Sequence, residues 1–283
     1  MEVFENIPAM KQFVRMKKAE GKTIGFVPTM GYLHSGHLSL IKKSTSQNDV
    51  TVISIFVNPT QFGENEDLDQ YPRDFERDCR LAQEAGADAV FFPTAGMMYP
   101  EGYKTYVEVV DITKRLCGVT RPTHFKGVTT VVTKLFHIVA PDRAYFGQKD
   151  AQQLLVIRRM VKDLNMDIEI VGCPIVRETD GLAMSSRNLY LSEEERTQAT
   201  VLNQSLEMAE KMIDSGEQDS NTVKKAIKEK IGTMELARID YVELVDTESL
   251  LPAQRITGEV LIALAVYFGE TRLIDNRILE VEA

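Results

Sequence analysis

The feature that most constrains this 283-residue chain is the alternation of short β-branched runs with longer amphipathic segments through its first 176 residues. The runs predict strands at 23–29, 50–57, 87–93, 142–147 and 168–176, with helices at about 35–47, 72–85, 127–139 and 150–164. The strand runs are apolar on both faces, as in parallel sheets covered by helices on both sides. We therefore predict an α/β fold with a doubly wound, Rossmann-like parallel sheet in residues 1–176.

The pattern changes after Val176, and the loop-like segment 176–188 indicates a domain boundary there. Ser192 precedes three glutamates, which predicts the start of a helix that runs to about Asp214, with a second helix at about 219–234. Three strand-like runs follow, at 237–246, 259–269 and 271–279. Residues 177–283 are therefore predicted to form a smaller C-terminal α+β domain with a small antiparallel sheet.

The charge distribution limits the classes of partner. The net charge is −9, from 33 basic and 42 acidic side chains, and residues 177–283 hold the whole acidic excess with 12 basic against 21 acidic side chains. An acidic segment repels phosphate backbones, so nucleic acid is not an expected partner. The apolar run 260–268 is too short to span a bilayer, and the three cysteines show no metal-binding spacing. We expect a cytoplasmic protein without a membrane partner.

Residues 26–44, FVPTMGYLHSGHLSLIKKS, are the first segment with a chemical signal. A predicted strand ends at Thr29, Met30 and Gly31 form a turn, and His34 to His37 open a helix. This arrangement offers backbone N–H groups and the positive end of a helix dipole to a phosphate. The two histidines share one helix face and can hydrogen-bond the same anion. They could instead only cap the helix, but their place after the first strand of such a sheet favours a phosphate site.

Two further segments carry polar side chains suited to a hydroxy acid or an anion. Asn58 and Gln61 lie in a loop after the second predicted strand, and their amides can donate to a carboxylate and accept from hydroxyls. Arg121, His124 and Lys126 precede a helical pattern and could gather positive charge near a ligand. A plain polar loop remains an alternative for the first of these segments.

The last two segments could bind phosphate groups. Gly147 forms a turn before Gln148, Lys149 and Asp150, where lysine can neutralise phosphate and aspartate can hold Mg²⁺ or a ribose hydroxyl. Ser185, Ser186 and Arg187 in the boundary loop could donate hydrogen bonds to a departing pyrophosphate. Taken alone, each segment is also compatible with an ordinary helix start or linker.

These motifs together resemble a known family. HxGH after the first strand is similar to the nucleotidylyltransferase superfamily, which includes the class I aminoacyl-tRNA synthetases. The longer strings PTMGYLHSGH, NPTQF, RPTHFKGV, FGQKDAQQ and MSSRN resemble the pantothenate synthetase family. MSSRN departs from the KMSKS motif of the superfamily, with Ala183 at the first lysine and Arg187 at the second. That departure is the form carried by pantothenate synthetases.

The resemblance implies an ATP-dependent ligase that joins pantoate to β-alanine through pantoyl adenylate and releases AMP and pyrophosphate. It implies Mg²⁺, with Asp78 and Asp150 as candidates near the ion, a homodimer, and a C-terminal domain that acts as a lid. The implied catalytic residues are His34, His37, Lys149, Ser186 and Arg187, and the implied substrate contacts are Gln61, Gln153 and Met30. The implied ATP contacts are Met30, Gly31, His34, His37, Gly147, Gln148, Lys149, Asp150, Val176, Met184, Ser185, Ser186 and Arg187.

Two other functions remain open from the sequence. An adenylyltransferase whose acceptor is a phosphate ester would share the HxGH motif and leave the nucleotide on its product. A non-enzymatic nucleotide- or RNA-binding module would bind without turnover. The acidic C-terminal third and the absence of any Lys/Arg run longer than two argue against the second alternative.

Overall fold

The computed structural model of the chain describes residues 1–63, 66 and 68–281. Contacts divide the chain into two compact units. The first unit consists of Met1–Gln148 and Gln152–Pro174, and the second consists of Lys149–Ala151 and the chain from Ile175 onward. No helix in these described ranges is both long and apolar enough to cross a membrane.

The first unit is built on a parallel sheet of six strands in the order β1-β4-β3-β2-β5-β6. The strands are β1 (Glu2–Phe4), β2 (Ile24–Thr29), β3 (Val50–Ile55), β4 (Ala89–Phe91), β5 (Arg143–Gly147) and β6 (Glu169–Cys173). The first seven helices are α1 (Ile7–Ala19), α2 (Ser35–Thr45), α3 (Phe75–Glu84), α4 (Ala95–Met98), α5 (Cys117–Thr120), α6 (His124–Val139) and α7 (Ala151–Asp163). The predicted doubly wound fold is confirmed.

Helices cover both faces of this sheet. Phe26 and Val52 contribute to a core with α1, α6 and α7, whereas their neighbours Val27 and Ile53 contribute to a second core with α2 and α3. All four side chains are fully buried. Since successive strand residues point to opposite faces, burial of both faces explains why the strands form continuous apolar runs in the sequence.

Two elements at the N-terminus were not predicted. The edge strand β1 has only three residues and they are largely exposed, so no apolar pattern marks it. The helix α1 does carry a sequence signal, because Asn6 caps it by accepting from the N–H of Ala9 at 2.9 Å and Pro8 stands in its first turn.

The described part of the second unit contains three α-helices, where the sequence predicted two, and the predicted small antiparallel sheet, in the order β7-β8-β9. Its elements are α8 (Glu193–Ala199), α9 (Val201–Asp214), α10 (Ser220–Ile231), β7 (Ala237–Asp246), β8 (Gly258–Phe268) and β9 (Thr271–Val281). Its core joins the apolar faces of α9 and α10 to one face of the sheet. Helices and sheet share this hydrophobic core, and β8 is also buried on its opposite face, at Leu261, Ala263 and Ala265.

The single helix predicted from Ser192 to about Asp214 is wrong, because the chain breaks it at Thr200. Ser192 does begin a helix, as its hydroxyl accepts from the N–H of Glu195 at 3.2 Å and the Glu195 carboxylate accepts from the N–H of Ser192 at 2.8 Å. Near the break, the hydroxyls of Thr197 and Thr200 donate to the carbonyls of Glu193 and Thr197. Such side-chain bonds compete with the regular helical pattern.

Candidate active site

The strand order reverses between β2 and β5 in the first unit. These strands are neighbours, with Gly25 paired to Arg143 and Phe26 paired to Ala144, while β3 lies on the other side of β2. Ligands of open parallel sheets bind at the carboxyl ends of the strands where the order reverses. The chain leaves β2 after Thr29 and enters the histidine motif, and β5 ends at Gly147.

His34 and His37 close a reciprocal capping box at the start of α2. The Nδ1 atom of His34 accepts from the N–H of Gly36 at 3.2 Å, and the Nδ1 atom of His37 accepts from the N–H of His34 at 3.3 Å. Their ring centroids are 4.1 Å apart. A backbone N–H can only donate, so each Nδ1 is unprotonated and each ring carries its proton on Nε2. Both imidazoles are therefore hydrogen-bond donors at Nε2, at the positive end of a helix dipole.

The loop that precedes the histidines is held by a buried carboxylate. Gly31 and Tyr32 have φ values of 87° and 50°, both in the left-handed region. The Asp78 carboxylate, 1% exposed, accepts from the N–H of Tyr32 and from that of Leu33, both at 2.7 Å. A Cβ atom on Gly31 would lie 2.9 Å from an Asp78 oxygen. The loop therefore requires glycine at position 31 and an acceptor with two oxygens at position 78.

Asp78 is a candidate near Mg²⁺ from the sequence, and its surroundings argue against that role. Burial raises the pKa of its carboxyl above the ordinary value of 3.8, against the lowering effects of the Leu33 and Tyr32 hydrogen bonds and of the nearby Arg77 charge. Both of its oxygens already accept backbone hydrogen bonds. Asp150, in contrast, is exposed in the 3₁₀ helix Gln148–Asp150.

Gln61 and Met30, two predicted substrate contacts, lie side by side. Gln61 ends the 3₁₀ helix Pro59–Gln61 after β3, and its Nε2 atom lies 3.1 Å from the Met30 sulfur. The Nδ2 atom of the buried Asn58 donates to Gln61 Oε1 at 3.1 Å and to the carbonyl of Gly127 at 3.1 Å. These contacts place a polar amide beside the turn that leads to the histidines.

The sequence predicts that Arg121 and His124 place positive charge near a ligand. In the structure, both side chains hydrogen-bond the backbone carbonyl of Gln61. Arg121 donates to the Gln61 carbonyl at 3.3 Å, and the Nδ1 atom of His124 donates to the same oxygen at 2.9 Å. Arg121 is also paired with Glu66, at 2.9 Å between its Nε and Oε1. Burial opposes ionisation of Glu66, but the Arg121 hydrogen bond and charge hold the pKa of this carboxyl below its usual value.

The two glutamines that open α7 have different environments. Gln152 is buried, and its side-chain amide donates to the carbonyls of Ile112 and Arg115 and accepts from the N–H of Cys117. These hydrogen bonds fix the segment before α6. Gln153, the predicted pantoate contact, is only half-buried. Sequence reasoning selected the second and missed the structural role of the first.

In the second unit, the segment after Val176 folds back on itself as a tight hairpin. The N–H of Met184 donates to the Val176 carbonyl at 2.9 Å, which joins two predicted ATP contacts, and Gly181 turns the chain with a φ of 93°. Arg177 forms a two-pronged ion pair with the buried Asp275 of β9, at 2.7 and 3.0 Å. The hairpin is therefore fixed to the small sheet.

The serines and arginine predicted to bind phosphates follow this hairpin. The Ser185 hydroxyl accepts from the N–H of Arg187 at 3.3 Å and caps the 3₁₀ helix Ser186–Tyr190. Ala183 is buried and forms an isolated antiparallel β-bridge with Arg177. The position of the first lysine in the KMSKS motif is therefore buried in this chain. Lys149 belongs to the same unit, where Asn276 donates to its carbonyl at 2.8 Å.

Within the described ranges, no group of three or more His, Cys, Asp or Glu side chains could hold a metal ion by itself. Mg²⁺ does not need such a group, since it usually binds one or two carboxylates together with substrate phosphates. The exposed Asp150 suits that mode, and Asp78 does not.

A doubly wound sheet with a histidine pair at the helix after β2 defines a nucleotide-binding α/β protein of the HxGH class. The sequence profile of the Pantoate-beta-alanine ligase family matches residues 2–278. The chain belongs to this family. It is 61% identical over 281 residues to the pantothenate synthetase of Acetivibrio thermocellus and 58% identical over 282 residues to that of Caldicellulosiruptor bescii, covering 99–100% of each chain.

Solved structures agree with this assignment. The pantothenate synthetase of Thermus thermophilus superposes with a TM-score of 0.94 at 45% identity, with full coverage of both chains. The pantoate-beta-alanine ligase of Francisella tularensis, complexed with beta-gamma ATP and beta-alanine, superposes with a TM-score of 0.78 at 36% identity, covering 98% and 97% of the two chains. The family resemblance found in the sequence is confirmed.

Proposed function

We propose that the chain catalyses the ATP-dependent ligation of pantoate to β-alanine through a pantoyl-adenylate intermediate. The observation that carries this proposal is the pair of Nε2 donors of His34 and His37 at the start of α2, in a chain that matches the ligase family over nearly its whole length. The relative from Francisella tularensis is complexed with beta-gamma ATP and beta-alanine, and we assign ATP and β-alanine as substrates here.

The first step joins the pantoate carboxylate to the α-phosphorus of ATP and releases pyrophosphate. The Nε2–H groups of His34 and His37 donate to phosphate oxygens and stabilise the charge that develops during transfer. Lys149, Ser186 and Arg187 hold the β- and γ-phosphates, and Gly147 and Gln148 complete the nucleotide contacts near the end of β5. Gln61, Gln153 and Met30 bind pantoate. The catalytic contribution is mainly positioning and neutralisation of charge.

In the second step, the amine of β-alanine attacks the activated carbonyl. A C–N bond forms, the bond from the acyl carbon to the phosphate oxygen breaks, AMP leaves and the amine loses a proton. Mg²⁺ would neutralise phosphate charge when bound, and Asp150 is the carboxylate we assign to it. The remaining assigned ATP contacts are Met30, Gly31, Val176, Met184 and Ser185.

The histidine and lysine assignments are tested by pyrophosphate release from ATP and pantoate with β-alanine omitted. His34→Ala and Lys149→Ala each remove one donor to the phosphates, and each should reduce the rate by roughly 10²-fold, as removal of one oxyanion-hole donor does. His137→Ala is the matched control, because His137 is exposed near the end of α6. Near-normal release by both variants would contradict the assignment.

We also propose that the enzyme is a cytoplasmic homodimer in which the second unit acts as a lid. The family resemblance supports the dimer and the lid. In the part of the chain that the structure describes, Cys79, Cys117 and Cys173 form no disulfide, which suits a reducing compartment. Light scattering should give twice the mass of one chain at micromolar concentration. A monomer mass under those conditions would exclude the dimer.

A further inference from the structure

Two backbone groups fix the orientation of the Asn58 side-chain amide. The N–H of Thr60 donates to Oδ1 at 3.3 Å, and the carbonyl of Gly127 accepts from Nδ2 at 3.1 Å. A backbone N–H can only donate and a carbonyl can only accept, so the nitrogen and oxygen of this amide cannot be exchanged. Asn58 is 1% exposed, so solvent does not compete for these bonds.

Asn58 in turn fixes Gln61. Its Nδ2 atom is a donor, so the Gln61 atom that faces it at 3.1 Å must be the acceptor Oε1. The Gln61 Nε2 atom then lies on the side of Met30, 3.1 Å from its sulfur. Gln61 therefore presents N–H donors, and not its carbonyl oxygen, on the face where Met30 lies.

Tyr99, which lies 41 residues further along the chain, completes this arrangement. Its hydroxyl donates to Asn58 Oδ1 at 2.8 Å and lies 3.2 Å from the hydroxyl of Thr60. Burial raises the pKa of Tyr99 to about 12, so the phenol keeps its proton at neutral pH and remains a donor. The Tyr99 ring packs against Phe56 and Tyr103. Its hydroxyl is thus held at the oxygen end of the Asn58 amide.

We propose that Tyr99 is a positioning residue: its hydroxyl reinforces the backbone bonds that orient Asn58, and through Asn58 it keeps Gln61 Nε2 directed to the substrate carboxylate. A carboxylate can only accept hydrogen bonds, so a reversed Gln61 amide would direct lone pairs at it and weaken binding. This inference rests on the proposed function, because it takes the hydroxy acid pantoate as the ligand of Gln61. It assigns Tyr99 to recognition of the acid and not of ATP.

The test is Tyr99→Phe, with Tyr103→Phe as its matched control. Both variants delete one phenol hydroxyl from the same aromatic cluster, but among the described residues the side-chain bonds of Asn58 are with Thr60, Tyr99, Gln61 and Gly127. Loss of one hydrogen bond predicts that Tyr99→Phe raises KM for pantoate roughly 3- to 10-fold, with KM for ATP unchanged and only a small fall in the unfolding midpoint. Tyr103→Phe should leave both KM values unchanged.

A second measurement separates action through Gln61 from a general packing effect. If Tyr99 works by orienting the Gln61 amide, then Tyr99→Phe should have no further effect on kcat/KM for pantoate in a Gln61→Ala background. Additive effects, or equal KM values for the two phenylalanine variants, would overturn the inference while wild-type turnover keeps the proposed function intact. A wild-type protein that forms no pantothenate from the three substrates would overturn both.

Discussion

At the scale of single residues, the candidate site depends on side chains to which we assign no substrate contact. Backbone donors set the tautomer of the two histidines. Each Nδ1 accepts from a backbone N–H at the start of α2, so each ring carries its proton on Nε2. The loop before them keeps its left-handed residues because Asp78 binds two successive N–H groups. The chemistry assigned to His34 and His37 therefore requires a carboxylate from a distant part of the sequence, on α3.

Asp78→Asn tests this dependence. The amide has one acceptor oxygen for two N–H donors, so its Nδ2 would oppose one of them and the loop before His34 would shift. We expect kcat to fall about 10- to 100-fold, the scale of an ångström-level misplacement of reacting groups, measured as pantothenate formation at saturating substrates. Asp74→Asn is the control, since it removes an exposed carboxylate at the cap of the same helix. Wild-type kcat in Asp78→Asn would refute the positioning role.

The raised pKa of Asp78 also predicts the pH dependence of stability. A carboxyl whose folded pKa lies above its unfolded value of 3.8 contributes stability below that value and loses it as the pH rises through the folded pKa. The free energy of unfolding of the wild type, relative to Asp78→Asn, should therefore fall as the pH rises above about 4 in urea titrations. If the stability of the wild type relative to Asp78→Asn instead rose with pH, the Leu33 and Tyr32 hydrogen bonds would lower the pKa of Asp78 by more than burial raises it.

At the scale of elements, α6 approaches the 3₁₀ helix Pro59–Gln61 so closely that only glycine fits at position 127. A Cβ atom there would lie 2.4 Å from the Thr60 carbonyl oxygen and 2.6 Å from the Gln61 Cα atom. Arg121 and His124 bind the Gln61 carbonyl from the same region of the chain. Gln61 is therefore positioned through both its backbone and its side chain.

Gly127→Ala should separate α6 from this 3₁₀ helix and move Gln61. We expect KM for pantoate to rise about tenfold or more and the free energy of unfolding to fall by about 1–3 kcal/mol, as overpacking of a tight contact does. Steady-state kinetics and urea unfolding measure the two effects. Gly96→Ala in α4 is the control, because nothing lies within 4 Å of its added Cβ. An unchanged KM for pantoate would show that the close approach does not position Gln61.

The elements that the sequence predicted well are those whose signal is local. The strands β2 and β3 are buried on both faces, and they therefore appear in the sequence as continuous apolar runs. The capping box at Ser192 marks the start of α8. The edge strand β1 is too short and exposed to leave a pattern. The roles of Asp78, Tyr99 and Arg121 depend on contacts 41 to 60 residues apart in sequence, and no local pattern reports them.

At the scale of the whole molecule, the charge distribution fits an enzyme that binds anions. The net charge is −9, yet residues 1–176 carry 21 side chains of each sign. The histidine motif, Gln61 and the end of β5 all lie in that neutral part of the chain. Attraction for phosphates can therefore come from a few local donors and a helix N-terminus, without a basic surface.

The central claim is tested most directly by an AMP-coupled assay with pantoate, β-alanine and ATP, in which each substrate is omitted in turn. We expect AMP equal in amount to pantothenate only when all three are present, and pyrophosphate release with β-alanine omitted. AMP that forms without pantoate, or a product that retains the adenylyl group, would contradict the proposed ligation.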